Sequence, residues 1–165
     1  MPRGIKAEKD GTYRVELPDE ERDVLASLPE QLREALEAGE PTLYRLFPPA
    51  HPDDDAANED YARLVGSGLV DGKLLALAEL ERSAHARRLD EEQLGAWLGA
   101  IESLRLVLGT QLDVQEASYG ALDPADPDAP RLALYHWLSW LQEEVVAALS
   151  ERLRDEPAGR DAAEP

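Results

Sequence analysis

The residues that could do chemistry are few. His51-Pro52-Asp53-Asp54-Asp55 sets an imidazole beside three carboxylates, a donor set suited to a divalent cation. The stretch lacks the glycine and the bidentate glutamate of an EF-hand loop, and no second histidine follows at helical spacing. A solvated loop is therefore the expected reading and a metal site near His51 the alternative. His85 stands in Ser83-Ala84-His85-Ala86-Arg87-Arg88. There a base beside cations competes with an exposed histidine near a helix C-terminus, where the dipole tolerates its charge. His136, between Tyr135 and Trp137, is either buried and hydrogen-bonded or on the rim of a helix face. Nothing in the pattern supplies a nucleophile with its base. The serines lie in no G-x-S-x-G elbow, and Gly66-Ser67-Gly68 lacks the Gly-Lys-Ser/Thr ending of a phosphate loop. The chain has no cysteine, which excludes disulfides, thiolate metal ligands and thiol redox chemistry among these residues and fits a reducing cytoplasm. The expectation is no catalytic set and no cofactor.

Charge narrows the partners instead. Against 17 basic residues stand 35 acidic ones, a net charge of −18. Such a chain repels phosphate backbones, so autonomous nucleic-acid binding is disfavoured. It repels anionic membrane surfaces too. A basic protein partner suits it. The N-terminal MPRGIKAEKDG has no apolar core of the kind a signal peptide needs, and no apolar run approaches the ~18 residues of a membrane span.

The elements that must hold any site are mostly helical. The hydrophobic share is 43% and rich in alanine and leucine, with few β-branched residues. The longest unbroken helical pattern is Leu89–Leu112. Leu94, Trp97, Leu98, Ile101, Leu104, Val107 and Leu108 recur at three- and four-residue steps, and Asp90 with Gln93 forms a capping-box start. Gly95 and Gly99 inside it are either tolerated or mark the close approach of another element. Pro18 to Gly39 predicts helix, with Val24, Leu25 and Leu28 on its apolar face. Ser27-Leu28-Pro29-Glu30 in that span predicts a second capping box and a kink or interruption. Further helices are expected at Ala56–Val65, Leu69–Leu89 and Leu132–Leu153, the last with Leu134, Leu138, Leu141, Val145 and Leu149 on one face. Leu43–Phe47 is a short apolar run, and the proline-rich 113–130 reads as a linker.

Residues 1–17 differ from the rest. Ile5 and Ala7, then Tyr13, Val15 and Leu17, alternate with polar residues around Asp10-Gly11, the pattern of a two-stranded hairpin. The expected architecture is mainly α, a bundle of about five to six helices with this small N-terminal β-hairpin. Residues 1–154 would form one helical domain and 155–165 a disordered tail. The core should gather Leu25, Leu36, Leu74, Leu77, Leu98, Ile101, Leu138 and Leu141. Trp140 lies off the main stripe of its helix and is the leading candidate for a partner contact. Tyr13 and Arg14 on the slightly basic hairpin are the other candidates.

Four stretches carry a family resemblance: Tyr13-Arg14-Val15-Glu16-Leu17, Leu46-Phe47-Pro48-Pro49-Ala50, Tyr61-Ala62-Arg63-Leu64-Val65 and, above all, Leu104-Arg105-Leu106-Val107-Leu108-Gly109-Thr110. With them the chain resembles the AosR-like actinobacterial family, formerly a domain of unknown function and often encoded beside the ClpS protease adaptor. The resemblance implies a cytoplasmic, mostly helical, non-enzymatic regulator of oxidative-stress-responsive transcription, acting by contact with an alternative sigma factor or another transcription component. An adaptor linked to Clp proteolysis is the alternative that the gene neighbourhood implies. Redox sensing in the family is attributed to cysteines, and this chain departs from the pattern by having none.

Overall fold

The computed structural model describes residues 3–38, 71–112 and 127–155. The chain enters as β1 (Gly4–Ala7) and turns back as β2 (Tyr13–Glu16), antiparallel, with Ile5 opposite Val15 and Lys6 opposite Arg14. A five-residue connection joins them. Glu8 N–H donates to the Thr12 carbonyl at 2.8 Å, and Asp10 Oδ1 accepts from both the backbone N–H and the hydroxyl of Thr12. Gly11 takes φ +93°, a conformation that glycine adopts without strain.

Helix α1 (Asp19–Ala38) follows, with Asp19, Glu20 and Glu21 in its first turn at the positive end of the dipole. The expected interruption near Ser27–Pro29 is absent: α1 is one helix with a fully buried Pro29 inside it. Ser27 is no cap there, because its hydroxyl bonds back to the Val24 carbonyl at 2.8 Å.

Residues 71–83 form α2. The periodicity predicted helix to Leu89, yet the chain leaves the helix after Ser83. Arg88–Leu89 become β3, pairing antiparallel with β2 so that Tyr13 faces Leu89 and Arg14 faces Arg88. The ribbon is therefore a three-stranded sheet in the order β1-β2-β3. Helix α3 (Glu91–Leu112) begins with the expected capping box. Gln93 N–H donates to Asp90 Oδ1 at 2.7 Å, and Asp90 N–H donates to Gln93 Oε1 at 3.0 Å. Helix α4 (Ala129–Asp155) carries Pro130 in its first turn, where a missing donor costs nothing. The fold is thus mainly helical with a small N-terminal sheet, and four helices lie among the described residues. Leu43–Phe47, the His51–Asp55 stretch, Ala56–Val65, residues 113–126 and the tail lie outside them.

The core is organised on α3. Leu94, Trp97, Ala100, Ile101, Leu104 and Val107 are buried between α1, β3 and α4. Leu25, Leu77, Leu138 and Leu141 join them as expected, while Leu74 and Leu98 are only half-buried. The side chain of Leu36 is outside the described set. Val24, expected on the apolar face of α1, is 39% exposed. The close approach falls at Gly109, where a Cβ would meet the Tyr135 ring at 3.1 Å; Gly95 faces open space.

Candidate functional site

The side chain that α1 buries in Val24's stead is Arg22, 5% exposed. It lies three residues before Leu25 and so falls on the same stripe. Its guanidinium donates only to backbone. Nε reaches the Leu17 carbonyl at 3.0 Å, Nη2 the Val15 carbonyl at 2.7 Å, and Nη1 the carbonyls of Ala86 at 2.7 Å and Ala84 at 3.3 Å. No carboxylate pairs with it among the described residues. Burial pushes its pKa down from the ordinary value, the nearby Arg87 adds to that and Asp19 opposes it. An arginine remains a cation even so. Arg22 therefore ties the end of β2 to the turn after α2 and fixes where the sheet meets the helices.

The α2–α3 seam is pinned at one end by two side-chain links. Trp97 Nε1–H donates to Ser83 Oγ at 2.8 Å, and that hydroxyl donates to the Glu79 carbonyl at 2.5 Å. Glu79 in turn accepts from Gln93 Nε2 at 2.9 Å and from Arg82 Nε at 3.0 Å. The Arg82 hydrogen bond holds the Glu79 carboxyl below its ordinary value, more than burial raises it. Ser83, engaged on both sides and without a base, is a packing residue rather than a nucleophile.

Along this seam two open grooves meet at Gly72 and Ala76. One, of about 550 Å³, runs past Leu75, Glu79, Asp90, Glu92 and Ala96; the other, of about 300 Å³, runs past Lys73, Gly99, Glu102 and Leu106. Leu75 is 72% exposed and Leu106 40%. Small residues form the floor, two leucines stand open, and Glu79, Asp90, Glu92 and Glu102 outnumber Lys73 and Arg82 along the edges. The surface has the makings of a protein-binding groove: apolar in the middle, mainly acidic at the rim.

The candidates read from sequence are scattered. Trp140 is half-buried, with the Arg3 guanidinium 4.4 Å above its ring and Arg3 itself paired with Glu21. Arg14 is exposed and paired with Glu8 at 3.2 Å and Glu16 at 3.0 Å. Tyr13 corrects the expectation. It is 0% exposed because β2 turns it, with Val15, toward the helices, and its ring offers no surface. His85 is exposed and 2.7 Å from Asp23. His136 stands edge-on to Tyr135 with ring centroids 5.9 Å apart. No group of three or more histidine, aspartate or glutamate side chains converges as a metal site among the described residues. The stretch at His51 is not among them. The grooves and Arg22 went unnoticed in the sequence. The α1 stripe did signal Arg22, through its spacing from Leu25.

Leu104–Thr110, the strongest of the family stretches, is a packing element here. Leu104, Val107 and Gly109 are buried. Arg105 reaches across to α4, donating to Ser139 Oγ at 3.0 Å and Gln142 Oε1 at 2.5 Å, with its guanidinium 5.2 Å from the Tyr135 ring centroid. Compared with known proteins, residues 2–149 match the family described as a domain of unknown function, DUF2017. The chain belongs to this family. It is 32% identical over 128 residues to the oxidative stress regulator AosR of Mycobacterium tuberculosis, covering 67% of this chain and 59% of that protein. It is also 32% identical over 127 residues to the putative oxidative stress regulator AosR of Mycobacterium leprae, covering 67% of this chain and 58% of that protein. The match thus spans less than two thirds of the length of these relatives. No solved structure matches. The resemblance to the AosR-like family, read from the four stretches, is borne out. Among the described residues of this DUF2017 member, no helix is long and apolar enough to cross a membrane.

Proposed function

We propose that the protein is a non-enzymatic, cytoplasmic regulator of oxidative-stress-responsive transcription that works by binding a basic protein partner, an alternative sigma factor or another transcription component. The observation that carries the reading is the 32% identity to proteins named oxidative stress regulators. The α2–α3 groove supports the mode of action. Its exposed Leu75 and Leu106 supply apolar anchors, and its acidic rim complements the basic surfaces with which sigma factors hold DNA. With no cysteine among these 165 residues, the chain itself senses no oxidant through a thiol.

The test is capture of purified sigma factors on the immobilised full chain, repeated with Leu75→Glu and Leu106→Glu. Binding that falls tenfold or more in both variants is the expected result. Undiminished binding would move the interface elsewhere. Capture of Clp components and no transcription component would replace the reading by a proteolytic adaptor.

A further inference from the structure

The two grooves of the α2–α3 seam share Gly72 and Ala76 and run into one another as a single trough. Its charge is not balanced within the chain. Glu79 is spent on Arg82 and Gln93. Glu92 and Glu102 are exposed and in no ion pair among the described residues. Glu92 sits in the first turn of α3, where the helix dipole favours its sign. Glu102, in mid-helix, has no such support. Arg105 lies three residues on, the spacing of a helical ion pair. It turns away instead and gives its guanidinium to Ser139 and Gln142 on α4. Apart from Arg82, Lys73 is the one cation lining the trough, against Asp90, Glu92 and Glu102. Ala76, Ala96 and Gly99 keep the floor low, so another element can approach closely.

We propose that this trough holds an amphipathic helix of the partner protein, with an aliphatic stripe against Leu75 and Leu106 and lysines or arginines over Glu92 and Glu102. The inference rests on the reading of the groove as a protein-binding surface and names what enters it. Backbone chemistry selects the shape. Both walls are helices, whose own N–H and carbonyl groups are already paired along the helix. An extended peptide would bury unpaired backbone there, whereas a helix brings its hydrogen bonds with it. The dimensions select the length. Glu92 and Leu106 stand about 21 Å apart along the axis of α3 at 1.5 Å per residue, a span that about four turns of helix cover. Charge selects the flanks. A second copy of this chain brings its own net charge of −18, whereas a basic helix gains from the uncompensated acids.

The probe is a fluorescein-labelled peptide of about 15 residues, with leucines at three- and four-residue steps on one helical face and lysines on its flanks. Two control peptides carry glutamates for the lysines or serines for the leucines. Anisotropy with the full chain should show binding of the parent peptide alone, weakening as salt rises, and circular dichroism should show the bound peptide helical. Glu92→Gln/Glu102→Gln should lose at least tenfold in affinity, and so should Leu75→Ser/Leu106→Ser. Glu143→Gln/Glu151→Gln, the same change of net charge at exposed residues of α4, should lose no more than about twofold. Every altered side chain is exposed, so thermal midpoints should barely move. Glu102→Gln alone gives the same sense of effect should a double variant fold poorly. Four results would overturn the proposal: no binding by the unaltered chain, equal losses in Glu143→Gln/Glu151→Gln, a serine peptide that binds as tightly as the parent, or a bound peptide that is not helical. The two readings fail separately. Sigma-factor capture that survives Glu92→Gln/Glu102→Gln undiminished removes the basic helix and leaves the regulator, whereas peptide binding as expected with no captured transcription component does the reverse.

Discussion

The guanidinium of Arg22 donates to the carbonyl oxygen of Ala86 at 2.7 Å, joining residues 64 positions apart. The same group satisfies Val15, Leu17 and Ala84. A single side chain thus closes the polar accounts of a strand end and a turn that would otherwise bury bare carbonyls.

Arg22→Ala should destabilise the protein by about 3 kcal/mol, since it strands several buried acceptors at once. Arg22→Lys keeps the charge without the planar fork and should recover only part of that. Urea unfolding of the three proteins checks it, and a loss below about 1 kcal/mol in Arg22→Ala would show that the carbonyls find other donors.

Ser83 and Trp97 should behave as a coupled pair. Ser83→Ala leaves the buried indole N–H without its 2.8 Å acceptor and should cost about 1–2 kcal/mol. Trp97→Phe pays for lost volume as well. In the double variant the orphaned donor is gone, so the combined loss should be smaller than the sum of the singles, by about 1 kcal/mol in a double-mutant cycle.

Two glycines of α3 should respond differently to the same change. Gly95 is exposed with open space about its Cβ, so Gly95→Ala should stabilise by about 0.5–1 kcal/mol through helix propensity. At Gly109 the new methyl would press on the Tyr135 ring at 3.1 Å, and the strain should cancel that gain or outweigh it. Thermal melts of the two variants, shifting in different senses or one not at all, are the expected pattern.

Acid should weaken the α2–α3 seam. Glu79 is held below its ordinary value of 4.5, chiefly by Arg82, so the folded chain binds fewer protons there than the unfolded chain. Its contribution is complete above pH 4.5 and is lost as pH falls through the lowered folded value. Asp10, lowered from 3.8 by its bonds to Thr12, acts in the same sense. Stability measured from pH 6 downward should decline, and Glu79→Gln should flatten that decline while lowering the plateau.

How much of this was legible in the sequence depended on how local its cause was. The capping box at Asp90 and Gln93, the spine of α3 and the hairpin signal at Asp10-Gly11 are set by residues a few positions apart, and all three stand in the structure. Arg88–Leu89 could not be read as a strand, because its pairing partner is Tyr13-Arg14 and its immediate neighbours read as helix. Of the kink or interruption expected near Pro29, the interruption is absent: α1 runs on through Pro29, whose ring is fully buried in the core. Tyr13 looked available because it sits on a polar ribbon, and only the third strand and the helices behind it show which way it points. The groove at Leu75 was invisible for want of any periodic signal; it is lined by residues of α2 and α3, small ones such as Gly72, Ala76 and Ala96 among them.

The Gly11 carbonyl accepts a hydrogen bond from Arg152, and α4 packs along β1. That contact spans 141 positions. A lone hairpin is marginal in water, and at a synthesis rate of about 5–20 residues per second its covering helix arrives roughly 7–28 s later. During vectorial synthesis the first strands therefore wait, unprotected, for the last helix. A chain stalled before α4 would present the apolar face of Ile5, Tyr13 and Val15 to chaperones and proteases, so completing α4 is the step that covers the newborn sheet.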